Sequence, residues 1–216
     1  MFLAHFAVGF AGKRADHSPS LGTWIMAAQW LDLVWPVLLL LGWERVRIAP
    51  GWTPVAPLEF VHYPYTHSLL AVLAWAVGFA LVYRLLRGNT RAAVWLGMAV
   101  LSHWVLDFIS HRPDLPLFPG GEARVGLYLW ASLWGTLVVE LGLLVAGVAL
   151  YMRAFPARDR VGVWALGGLL LLLVVAYFGS IFAPPPETTT QLAAGALSMW
   201  LLVAWGYWID RHRGAP

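Results

Sequence analysis

Six long apolar stretches separated by short polar breaks constrain this chain more than any other feature of its sequence. They fall at about residues 21 to 42, 66 to 86, 91 to 110, 125 to 152, 161 to 183 and 190 to 209. A helix needs about 20 mostly apolar residues to cross a ~30 Å hydrocarbon core. Backbone groups in lipid must be paired internally, so runs of this kind are read as helices and not as isolated strands. The breaks carry helix stoppers or charge, among them Pro50-Gly51, Arg87-Gly88-Asn89, Pro113, Pro116, Pro156 and Pro184 to Pro186. Charge supports the same reading: 12% of the 216 residues are charged, about half of what a soluble domain carries (roughly 25%). The expected architecture is all-α, a polytopic membrane helix bundle of about six transmembrane helices plus a short N-terminal helix. It forms a single integral membrane domain over residues 1–216, with the chemistry-bearing residues in 1–115 and a purely helical half in 116–216.

Residues 1 to 12 are apolar, with no basic region before them and Lys13-Arg14 after them, so a cleaved leader is not expected. As a helix they reach only about 18 Å, which predicts an interfacial or re-entrant segment. Lys and Arg in the loops set orientation. Lys13, Arg14, Arg84, Arg87, Arg91, Arg153, Arg158, Arg160, Arg211 and Arg213 fall on one side, and Arg45, Arg47, Arg112 and Arg124 on the other. That asymmetry predicts a multi-pass membrane protein with both termini cytoplasmic. The loops 43 to 65, 111 to 124 and 184 to 189 then face outward. The net charge of +3 is therefore read as topology, and no nucleic-acid partner is expected. The 14 Trp residues suit packing and the membrane–water interface.

Ionisable groups inside a membrane cost about 2.5 kcal/mol or more at its centre on insertion scales, so each one asks for a function or a partner. The pattern Ser102-His103-x-x-x-Asp107 stands out. Residues i and i+4 share one helix face, so an imidazole and a carboxylate can serve one cation. The pair also reads as a purely structural ion pair. A second signal is His62-Tyr63-Pro64-Tyr65-Thr66-His67-Ser68, where a proline-broken segment leads into a helix. His5 lies in the first apolar segment, and Gln29 and Asp32 in the first span. Helical rise places His67, His103, Asp107 and Asp32 at compatible depths in the outer half of the bilayer. Glu140 stands alone in the fourth span, as a ligand, an Arg partner or a cavity-lining group. His111, beside Arg112, Pro113 and Asp114, is as readily a bystander as a ligand. With no cysteine in the chain, a metal could only be held by His, Asp, Glu or backbone oxygen.

Taken in order, His5, Asp32, His62, Thr66-His67-Ser68 and His103-x-x-x-Asp107 resemble the YdjM family of inner-membrane-associated metal-dependent hydrolases. They are more distantly similar to zinc-dependent phospholipases C and single-strand nucleases. The resemblance covers roughly the first 115 residues. It implies metal ligation by His5, Asp32, His67, His103 and Asp107 with His62 nearby, and a zinc cofactor or another divalent metal such as manganese or iron. It also implies a hydrolase of the cell inner (plasma) membrane. Metal-activated water would then attack an ester, a phosphoester first, at the outer face, with Asp107 or Asp32 bridging two metals or serving as general base, and the depth of the site near the headgroups favours a lipid-like substrate. Two positions depart from the family's pattern. Gln29-Trp30-Leu31-Asp32 carries one carboxylate where the family has two around a proline, and no Arg follows His62. Both departures lower the charge available to a cluster of several metals.

Membrane lipid phosphatases with their own His-x-x-x-Asp element are set aside, because they need Ser-Arg six residues before that His, where this chain has Gly97. The chain has no nucleotide-binding Gly-rich loop and no Gly-x-Ser-x-Gly elbow. A cation or proton transporter built on the same His/Asp cluster, and a non-catalytic membrane scaffold, are the competing expectations. Beyond the lipid bilayer and such a substrate, no partner is implied.

Overall fold

A computed structural model describes residues 1–214. In chain order the helices are α1 (Leu3–Ala15), α2 (Leu21–Ala28), α3 (Trp30–Leu40), α4 (Pro64–His67), α5 (Leu69–Arg87), α6 (Thr90–Ser110), α7 (Leu133–Ala154), α8 (Arg160–Phe182), α9 (Thr189–Leu197) and α10 (Met199–Arg211). Two small antiparallel pairs lie in the connections: β1 (Arg45–Ile48) with β2 (Leu58–His62), and β3 (Leu115–Pro116) with β4 (Arg124–Val125). Helices α5, α6, α7, α8 and the continuous stretch Thr189–Arg211 are each long and apolar enough to cross a membrane. The pair α2 and α3 makes a sixth candidate span, bent by 56° at Gln29. The all-α membrane bundle is therefore present, with the bent α2–α3 pair as a broken span or a re-entrant loop.

Local chemistry explains the ends. Ser68, Asn89, Ser132 and Asp159 each accept a backbone N–H with the side chain at the start of α5, α6, α7 and α8. Gly88 closes α5 in the left-handed region at φ 70°, where glycine carries no steric penalty. The fourth span was expected from residue 125 but starts at Leu133. Residues 126–128 instead return to the end of α6, where Leu127 and Tyr128 donate their N–H groups to the carbonyls of Phe108 and His111. A helix end needs partners for its last carbonyls, and this strand of chain supplies them. The outer segment 43 to 65, expected as a loop, contains the β1–β2 hairpin. Arg45 faces His62 across it, and a bulge follows at Arg45/Val46.

Helix α1 is too short to span alone, and it is buried within the bundle with Leu3, Phe6 and Phe10 fully covered. It packs against α7, α2 and α6. The approach to α7 depends on Gly147, where an added Cβ would lie 2.5 Å from the Ala7 carbonyl oxygen and 2.9 Å from its Cα. Backbone cannot yield as a flexible side chain does, and overpacking of this kind costs about 1–3 kcal/mol or more. Gly147→Leu is therefore expected to lower the thermal midpoint of detergent-purified protein by several degrees. An unchanged midpoint would show that α1 is free to move off α7. At the opposite end of α1, Lys13 is buried and donates to the carbonyls of His17 and Pro19, and pairs with Asp210 at 3.2 Å.

Candidate metal centre

The bend at Gln29 creates one wall of the site. It leaves the carbonyl of Ala28, the last residue of α2, available to His103 Nδ1 at 2.8 Å. A carbonyl only accepts, so Nδ1 carries the proton, and in the neutral ring Nε2 carries the lone pair. The same bend places Asp32 in the first turn of α3. Pro36 lacks an N–H to return to the Asp32 carbonyl, so the backbone here is irregular where it borders the site. On α6, His103 and Asp107 share a face as their spacing predicts. α1 brings His5, and the last residue of α4 is His67.

These five side chains converge. Asp107 Oδ2 lies 3.2 Å from His103 Nε2 and 3.7 Å from His67 Nε2, while Asp107 Oδ1 lies 3.2 Å from His5 Nε2. Asp32 Oδ1 lies 3.6 Å from both His67 Nε2 and His103 Nε2. The rings of His5 and His103 stack at 3.6 Å. Two triads, His5/His103/Asp107 and Asp32/His67/His103, have ligand atoms within 4.8 Å of one another and could hold a metal ion. All five residues are buried except Asp32, whose side chain is 23% exposed. The Met1 amino group donates to Asp107 and to Ser110 Oγ.

Two observations test whether this donor set fits a cation. His103 Nε2 is buried and makes no hydrogen bond, although Asp107 Oδ2 is 3.2 Å away. Its direction misses the neighbouring carboxylate, as expected of a lone pair aimed at a shared ion. The opposite nitrogen of the same ring is anchored to backbone, the usual arrangement behind a metal-ligating His. Imidazole and carboxylate suit zinc, and also manganese or iron. Both triads use the same nitrogen of His103, and one neutral imidazole nitrogen offers one lone pair. A single ion at His103 therefore matches the geometry, in keeping with the single carboxylate of the Gln29–Asp32 element.

His62 is not brought to this cluster. It lies at the end of β2 and lines a separate groove of about 860 Å³ with Arg45, Trp43, Tyr65 and Trp75. His111 joins the surroundings of the site: its Nδ1 is 3.1 Å from Asp114 Oδ1, and its ring lies 4.3 Å from that of Trp130. The Tyr63 hydroxyl donates to the same Asp114 oxygen at 3.0 Å. Burial, then the charge of Asp114, pushes the Tyr63 phenol well above its usual value, so it remains a donor. A cleft of about 560 Å³ opens over the cluster. Asp32, His67, Asp107 and His111 line it at one end, with Trp35, Phe60, Trp130, Leu192, Met199 and Leu202 along its walls.

Two buried carboxylates carry roles that sequence reasoning missed. Glu140 accepts the N–H groups of Phe2 and Ala4 at the start of α1, at 2.9 and 3.1 Å. Glu44, which precedes β1 and is 1% exposed, accepts from Tyr65 and Thr66. The only signal for either was an acidic residue in an apolar setting. Comparison of the chain with protein-family models, with curated proteins and with solved structures found no match.

Proposed function

We propose that this protein is a membrane-embedded, metal-dependent hydrolase that cleaves a phosphoester or lipid-like ester, with zinc as the expected metal. The observation that carries the reading is the convergence of three imidazoles and two carboxylates, of which Asp32, His67 and Asp107 line a cleft with mostly apolar walls. A divalent cation held there would act as a Lewis acid and lower the pKa of a coordinated water to about 7. The two carboxylates divide the remaining work. Asp107 Oδ1 is held by Met1 and His5, while Oδ2 lies 3.2 and 3.7 Å from the Nε2 atoms of His103 and His67 without a hydrogen bond to either, which suits a ligand. Asp32 opens to the cleft and suits the proton acceptor for an attacking water. The walls suit an apolar portion of the substrate, and the cleft volume lies within the roughly 300–1,000 Å³ of small-molecule sites. The resemblance in order of site residues to the YdjM family supports the same chemistry and the inner membrane as its location, and the Lys/Arg asymmetry of the loops supports the outer face as its side.

The test is turnover of phosphomonoester, phosphodiester and phospholipid substrates by protein stripped of metal and reloaded with zinc, manganese or iron(II). Activity is expected to vanish on chelation and return on reloading. Asp32→Asn is expected to lower kcat by about 100-fold or more, the scale of a lost general base. Stoichiometric metal without turnover on any ester would overturn the enzyme reading and favour cation transport through the same cluster.

A further inference from the structure

We infer that Glu44 is a positioning residue: through the Thr66 hydroxyl it fixes His67 as the Nδ1–H tautomer and presents the Nε2 lone pair to the metal centre. Its consequence for metal binding rests on the metal-dependent reading above, while the tautomer itself does not.

The hydrogen bonds assign the protons. Glu44 Oε2 lies 2.7 Å from Thr66 Oγ1, and Thr66 Oγ1 lies 2.6 Å from His67 Nδ1. A carboxylate has no hydrogen to give, so the hydroxyl donates to Glu44. A hydroxyl has one hydrogen, so Thr66 Oγ1 can only accept from His67, and Nδ1 must carry the proton. In the neutral ring that leaves Nε2 with its lone pair, directed at the space between Asp32 Oδ1 and Asp107 Oδ2 at 3.6 and 3.7 Å. Without this relay the opposite tautomer would be favoured, because two carboxylates attract an Nε2–H. Glu44 reverses that preference at a distance.

Capping alone does not account for the contact. The N–H groups of Tyr65 and Thr66, at the start of α4, both reach Glu44 Oε1 at 2.8 Å. They need only that oxygen, and the second oxygen is committed to the hydroxyl. The carboxylate is buried at the head of the hairpin, where the site's own residues do not touch it. Its arrangement repeats that of His103, whose Nδ1 is held by the Ala28 carbonyl. Two of the three imidazoles are thus held with Nε2 inward by acceptors behind them, the outer-shell device common to metal sites.

The separation of the two oxygens gives the experiment. Full-length protein labelled with ¹⁵N-histidine, stripped of metal and held in detergent, reports ring tautomers by NMR, with His67→Gln assigning the signal. Wild type is expected to show His67 as Nδ1–H. Thr66→Val, which keeps the Oε1 cap, should move it to Nε2–H and weaken zinc binding by about 10–100-fold, the usual loss for an outer-shell partner. Glu44→Gln should populate both tautomers, and Thr66→Ser should restore the wild-type signal and affinity. A purely structural Glu44 would leave the tautomer unmoved in folded variants. His67 as Nε2–H in wild type, or as Nδ1–H in Thr66→Val, overturns the inference. Wild type that binds no zinc sinks the metal reading separately, since the NMR signal is read without metal.

Discussion

His103→Ala and Asp107→Ala proteins are expected to purify with background metal, where wild type offered zinc carries close to one ion per chain. Each residue is fully buried, so neither can be replaced by a surface side chain. His103 belongs to both triads, and its loss removes the nitrogen they share. Asp107 lies within 3.7 Å of the Nε2 atoms of all three imidazoles, and its loss removes the carboxylate nearest to every one of them. The drop in affinity should exceed the ~10–100-fold that outer-shell losses cost. His5→Ala breaks one triad and leaves Asp32, His67 and His103 in place, so it should retain weak binding. Stability supplies an independent readout. An ion at 100 times its dissociation constant stabilises the fold by about 2.7 kcal/mol, so chelation should lower the wild-type thermal midpoint and leave that of His103→Ala unmoved. Equal metal content in wild type and both variants would place the ion elsewhere. Absence of metal from wild type offered zinc would return the cluster to a proton relay or a structural role.

What could be foreseen follows the range of the interactions involved. Spans were legible because hydropathy accumulates over some 20 neighbouring residues. His103 and Asp107 were legible because an i,i+4 relation is fixed by helix geometry. Asp32, His67 and His5 lie on different elements, and only their polarity within apolar sequence and the order of a family pattern marked them. The exclusion of His62 could not be read. It depends on hairpin register, which sets His62 opposite Arg45, and on the turn at Tyr63-Pro64 that directs α4 toward the cluster. The late start of α7 was hidden for a similar reason, because residues 126–128 are apolar enough for a span but are claimed by the carbonyls ending α6. Glu44 and Glu140 were the hardest. Each serves backbone N–H groups far away in sequence, 21 and 22 positions for Glu44 and 136 and 138 for Glu140. No local spacing encodes such a pairing.

Glu140→Leu is expected to cost the protein its metal although no ligand is altered. The carboxylate lies in the first half of α7 with 1% exposure and takes the N–H groups of Phe2 and Ala4. Those donors open α1, where a helix has no acceptors of its own. With Leu in place, two buried N–H groups lose their partner at about 1–3 kcal/mol each. Together that is a sizeable share of a typical stability of about 5–15 kcal/mol. The first turn of α1 would detach from α7, and His5 sits at its third residue, stacked on His103. Glu140→Gln keeps a carbonyl oxygen that can accept both N–H groups, so it should retain most of the metal and most of the stability. The comparison separates two means of holding α1, the carboxylate at its start and the close packing at Gly147 further along. If Glu140→Leu keeps wild-type metal affinity and thermal midpoint, the packing at Gly147 suffices to hold His5 in the centre.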